Sequence, residues 1–162
     1  MTDNANASSS PISINPALAR IIRHVESSDN PYALRFEPAT YENLGVLSNA
    51  EIALLDKIAK YNACDFVTAK VIYSTSFGYY QLMGFNIYGL GCGDNIFEFC
   101  ANDFLQVDIF NDFLDSRAIN VPWSTLKTNI TELHRFAEAY NGPGDPQAYA
   151  ARMLQVAQEL GL

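Results

Sequence analysis

The stretch NPALARIIRHVESSDNP, Asn15 to Pro31, sets the frame for the whole chain. Asn15-Pro16 reads as an N-cap followed by a first helical residue, since proline lacks the N–H that a first turn leaves unbonded anyway. Leu18, Ile21, Ile22 and Val25 then recur at helical spacing and turn one face inward. Ser28-Asp29-Asn30-Pro31 is turn chemistry, and Asn30 is disfavoured in the α region before a proline. The helix therefore stops near Ser27, with Glu26 in its last turn.

On that helix Glu26 follows Ile22 by one turn and adjoins Val25, so its side chain borders the apolar face. The negative end of the helix dipole lies at the same place. Partial burial and the dipole both disfavour the charged form and raise the carboxyl pKa. A carboxylic acid still protonated near neutrality is what a glycosidase uses to protonate a leaving oxygen. A solvated flank residue is the plainer reading of one such glutamate taken alone.

The rest of the chain reads as further short helices. Tyr32 to Leu47 holds no long period and reads as loop, with room for a short strand pair. Ser48-Asn49-Ala50-Glu51 is a capping box, followed by Ile52, Leu55 and Ile58 or Ala59 on one face. Asp65 caps a third helix through Val67, Val71 and Ile72, and a short helical segment is expected around Gly78 to Met83. Asp94 is expected to cap one long helix whose aromatic stripe, including Phe97 and Phe104, packs in the core. Pro122 opens a short helix. Thr128 or Asn129 caps another, with Ile130, Leu133, Phe136 and Ala137 inward, ending at Gly142-Pro143-Gly144. Asp145-Pro146 begins the last, with Tyr149, Met153 and Val156 or Ala157 on its apolar side. The expected class is mostly α: a helical bundle with at most a small β element and a substrate groove. A flexible leader is expected over residues 1–12 and a single domain over 13–162.

Composition narrows the functions. The 162 residues carry a net charge of −8 and no Lys/Arg cluster, which argues against nucleic acid and anionic membrane surfaces as partners. No apolar run approaches the roughly 20 residues that span a bilayer, and the leader lacks the apolar core of a secretory signal. Cys64, Cys92 and Cys100 form no C-x-x-C, so they read as reduced, buried small side chains, with no metal site and no cofactor expected. Gly89 to Gly93 is glycine-rich, but no Lys-Ser/Thr follows it, so it is a turn and not a phosphate loop.

Three ordered blocks carry a resemblance. They are Glu26-Ser27 at a helix end, Ser76-Phe77-Gly78-Tyr79-Tyr80-Gln81-Leu82-Met83-Gly84-Phe85-Asn86, and Ala139-Tyr140-Asn141-Gly142-Pro143. With Phe36-Glu37 between the first two, the chain resembles the lysozyme-like superfamily, and within it the phage-type N-acetylmuramidase family. It is also similar to soluble lytic transglycosylases. Two departures stand out: Ser28 where the family usually has Gly, and Pro38 where a His commonly follows the Phe-Glu pair.

The resemblance implies a peptidoglycan glycosidase that cuts after N-acetylmuramic acid, with glycan strands as its partner. Glu26 would be the general acid and Tyr140 the phenol that holds it. Gln81 would bind an N-acetyl group or sugar hydroxyls, with Ser76, Tyr79, Met83 and Asn141 as further sugar contacts. Glu37 and Asp65 are the candidates for a catalytic second carboxylate; a base of that kind would sit roughly 6.5–9.5 Å from the acid. The resemblance further implies a phage protein made in the host cytoplasm without a signal peptide and acting in the periplasm or wall, as an endolysin or among virion proteins. A transglycosylase leaving 1,6-anhydro ends, and a non-catalytic lysozyme-like structural or sugar-binding module, are the alternatives.

Overall fold

The structure is a computed structural model that describes residues 15–162. The expected leader lies outside the described residues. Ten helices and one small sheet follow in the order α1 (Pro16–Ser27), β1 (Leu34–Phe36), α2 (Pro38–Glu42), α3 (Asn49–Asn62), α4 (Phe66–Tyr73), β2 (Thr75–Phe77), β3 (Leu82–Met83), α5 (Gly84–Gly89), α6 (Ile96–Ala101), α7 (Asp103–Ser116), α8 (Trp123–Leu126), α9 (Ile130–Asn141) and α10 (Pro146–Glu159). The mostly α lysozyme-like class holds.

The caps form where the side chains allow. The side chain of Asn15 accepts from the Leu18 N–H, and Ser28 ends α1 in the left-handed region at φ 53°. Ser48 and Glu51 complete the capping box of α3. Leu18, Ile21, Ile22 and Val25 of α1 are buried, as are Leu133, Phe136 and Ala137 of α9 and Tyr149, Met153, Val156 and Ala157 of α10. These faces pack into one hydrophobic core that α1, α9 and α10 share with the middle of the chain.

Several expectations are corrected. The segment Gly78 to Met83 is a hairpin turn and a strand, not a helix. The sheet runs β1-β2-β3, antiparallel throughout, with Arg35 opposite Ser76 and Ser76 opposite Met83. Gly78 at φ 76° and Gln81 at φ 47° are left-handed, which no α-helix accommodates. The segment Tyr32 to Leu47 is more ordered than a loop, holding β1 and α2.

The expected long helix is two. Asn95, not Asp94, caps α6, and Asn102 breaks the run at ψ 96° while its side chain caps α7 at the Leu105 N–H. The inward residues of α6 are Ile96, Phe99 and Cys100, and those of α7 start from a new phase, so Phe97 and Phe104 are 82% and 85% exposed and not core. Elsewhere the inward face of α4 is Ala69 and Ile72, with Val67 outside, and Ile130 is exposed at the start of α9. Cys92 and Cys100 are buried free thiols, whereas Cys64 is only partly buried.

Gln106 of α7 anchors the hairpin. Its side chain is fully buried; Oε1 accepts from the Tyr79 N–H at 2.7 Å, and Nε2 donates to the Cys100 carbonyl at 2.9 Å. A Cβ at position 78 would lie 2.2 Å from that same Oε1, so a glycine is required there by space as well as by φ. Gln106→Leu orphans both backbone groups and is expected to cost about 2–4 kcal/mol in chemical denaturation. A midpoint equal to wild type would show that the hairpin does not depend on this anchor.

Candidate active site

Glu26 sits in the last turn of α1, partly buried, at the head of a groove of about 320 Å³. The exit of β1 brings Arg35 and Glu37 to the same groove, and the β2–β3 hairpin brings Gln81 and Met83. Phe85 of α5, with Tyr140 and Asn141 at the end of α9, completes the wall. A second segment of about 200 Å³ shares Gln81, Met83, Phe85, Tyr140 and Asn141, and extends to Asn86, Phe113 and Arg117. Through the shared residues the two segments form one continuous trough.

A larger hollow, about 520 Å³, lies elsewhere, between Tyr61, Val71, Phe77 and Phe97. Its lining is mostly apolar, with no carboxylate, histidine or cation among the lining residues, so it lacks the acid–base groups the trough has. Among the described residues no cluster of His, Cys, Asp or Glu is arranged to hold a metal ion.

Burial raises the Glu26 carboxyl above its ordinary range. Three groups pull the other way: a hydrogen bond from Tyr149, and the charges of Arg35 and Arg152. The Tyr149 hydroxyl donates directly to Glu26 Oε1. Burial, and then the charge of Glu26, keep that phenol well above its usual pKa, so it is a donor at neutral pH.

The phenol that holds Glu26 is Tyr149, not the expected Tyr140. The Tyr140 hydroxyl donates to the Tyr80 carbonyl at 2.7 Å, while its ring stacks on Phe136 with centroids 5.7 Å apart. Tyr140 is a groove wall tied to the hairpin, and Tyr149, one element later, reaches the acid. Nothing in the periodicity of α10 separates Tyr149 from its buried neighbours, so the sequence marks it only as core.

The other expected residues divide. Glu37 is in the trough, its Oε1 bonded by Arg35 Nε at 2.5 Å. Asp65 is not; it caps α4, and the Thr68 N–H holds its carboxyl below the usual range. Gln81 lines the trough, but its amide is committed within the hairpin: Oε1 accepts from Ser76 Oγ at 2.9 Å, and Nε2 donates to the carbonyls of Ala33 and Gly78, each at 3.1 Å. Its part is to shape the floor, in place of the free donor and acceptor expected. Ser76 is fully buried behind it. Tyr79 faces away, under the Arg23 guanidinium at 3.5 Å and donating to Asp103 at 3.2 Å, because the left-handed turn sends it to the α7 side. Asn141 is exposed in the trough, and its side chain has no hydrogen-bond partner among the described residues.

The N-acetylmuramidase family profile matches residues 17–161. The chain belongs to the N-acetylmuramidase family. It is 34% identical over 145 residues to the endolysin of Enterobacteria phage PRD1, covering 88% of this chain and 95% of that protein. No solved structure matches it significantly. This muramidase is a glycoside hydrolase acting on peptidoglycan. No described helix is long and apolar enough to cross a membrane.

Proposed function

We propose that this muramidase cuts the β-1,4 bond between N-acetylmuramic acid and N-acetylglucosamine with Glu26 as general acid and Glu37 as base. The observation that carries this is the Glu26 carboxyl: partly buried, raised in pKa, hydrogen-bonded by Tyr149, and open to the trough. Protonated Glu26 gives its proton to the leaving oxygen. Glu37, in the same trough, takes the proton from the attacking water. Met83, Phe85 and the Tyr140 ring offer flat apolar surface to sugar rings, and the Asn141 amide offers a donor and an acceptor.

The test is the chemistry of the released ends. Digestion of purified cell walls is expected to leave reducing muramic acid ends, seen by borohydride reduction and mass analysis. Ends found wholly as 1,6-anhydro-muramic acid would remove Glu37 and water from the mechanism.

Tyr149 acts on the pH dependence. An acid catalyst must be protonated, so activity is present below the Glu26 pKa and lost above it. The Tyr149 hydrogen bond favours the carboxylate. Tyr149→Phe is therefore expected to move the alkaline limb of the pH–rate profile upward. It is also expected to lower turnover about 10- to 100-fold, because the carboxyl loses its fixed orientation. A limb that stays in place, or moves down, would separate Tyr149 from the acid.

The peptidoglycan substrate and the similarity to a phage endolysin support a lytic role, for a phage protein made in the host cytoplasm and acting on the wall. The net charge of −8 suits a virion-attached module as well as a free enzyme. Immunodetection in purified particles distinguishes the two; a protein confined to the lysate is the free lysin.

A further inference from the structure

Muramic acid units present carboxylates, either on the lactyl group or on the stem peptide, while this chain carries a net charge of −8. The long-range field therefore opposes an anionic glycan, and attraction to its carboxylates has to be local. Among the residues lining the two trough segments only Arg35 and Arg117 are cations.

They differ in how they are held. Arg117 donates from Nη1 to the Ala139 carbonyl at 3.2 Å and lies over the Phe113 ring at 4.8 Å, which ties it to the wall. Arg35 is 65% exposed, in the segment that holds Glu26. Its Nε donates to Glu37, and neither Nη has a partner among the described residues. Its backbone is pinned by the ladder to Ser76, whose Oγ also lies 3.3 Å from the Arg35 carbonyl. Glu37 thus fixes one edge of the guanidinium plane and leaves the other unspent. A planar fork of this kind takes a carboxylate through two parallel N–H bonds, and a fork held in advance loses less side-chain freedom on binding.

We propose that Arg35 is a specificity-determining residue that binds a carboxylate of the substrate beside the cleavage point. The proposal rests on the muramidase reading above. It assigns to Arg35 the discrimination between acidic muramyl glycan and neutral glycan of the same backbone.

The experiment uses the full chain carrying Glu26→Gln, so that nothing is turned over during titration. Calorimetry compares glycan oligomers of equal length in three forms: with stem peptides, stripped to the free lactyl carboxylate, and with that carboxyl amidated. At least one acid form is expected to bind about tenfold tighter than the amide. Adding Arg35→Gln is expected to bring the acid forms to the amide's Kd, and Arg35→Lys to restore only part of the difference. Tight binding of the stripped glycan names the lactyl carboxylate as the group held; tight binding of the peptide form alone names the stem. Equal Kd for all three forms, or a preference that survives Arg35→Gln, overturns the proposal while leaving the muramidase reading intact. Absence of binding to every form, with no wall clearing by the natural chain, would remove that reading too.

Discussion

Glu26→Gln is expected to stop wall clearing, with turnover falling about 10²- to 10⁴-fold while the protein stays folded. The amide keeps the shape of the carboxyl and still accepts from the Tyr149 hydroxyl, so the packing of α1 against α10 survives. What goes is the transferable proton. Stability should move in the opposite direction from activity. The folded-state pKa of Glu26 is raised, chiefly by burial. A raised carboxyl contributes its full stability below the unfolded value of 4.5, and that contribution fades as pH rises through the folded pKa. Gln does not ionise, so the variant is expected to match wild type in Tm under acid conditions and to exceed it at neutral pH. A Tm that falls at neutral pH would place Glu26 among structural carboxylates, and undiminished clearing would take it out of the mechanism.

Gly84→Ala is expected to produce the largest loss of stability from a single methyl. A Cβ at position 84 would lie 2.0 Å from the Ile72 carbonyl oxygen and 2.8 Å from its carbon. These are backbone atoms of α4, so no side chain can swing aside, and α5 has to move off α4 instead. Overpacking of this kind costs roughly 3 kcal/mol or more, which for a chain of this size lowers Tm by about 10 °C. Activity should fall with it, because β3 and α5 carry Met83 and Phe85 into the trough. Differential scanning calorimetry measures this directly. A Tm within about 1 °C of wild type would show that the close approach of α4 and α5 is not a feature of the folded protein.

Residues 15–31 are legible in the sequence because each signal there is local. The Asn15 cap, the apolar spacing and the Ser28 stop are settled by bonds spanning a few residues, and they deliver Glu26 to the last turn of α1. The same is true of the Ser48 capping box and of the Asn129 and Asp145 caps. Where a local signal is ambiguous, the pattern misleads. Phe97, Cys100 and Phe104 keep a helical period across Asn102, yet Asn102 caps a new helix, and Phe97 before it and Phe104 after it both face outward. The hairpin at Gly78 depends on partners distant in sequence: β1, which pairs with β2, and Gln106 of α7.

The trough shows the same division. Order and spacing of the three blocks carried the resemblance to the family and the expectation of Glu26 as acid, and the Phe36-Glu37 pair marked a candidate base, since these are properties of the chain itself. Which phenol touches Glu26 was decided by packing: Tyr149 lies 123 positions away and reaches the acid only because α10 docks on α1, while Tyr140 is drawn to the Tyr80 carbonyl. The open edge of Arg35 was likewise set by strand pairing and by Glu37, not by any pattern around residue 35. Helix ends and apolar stripes are written in neighbouring residues. Contacts between elements depend on how the finished core seats them, and only the folded chain supplies that.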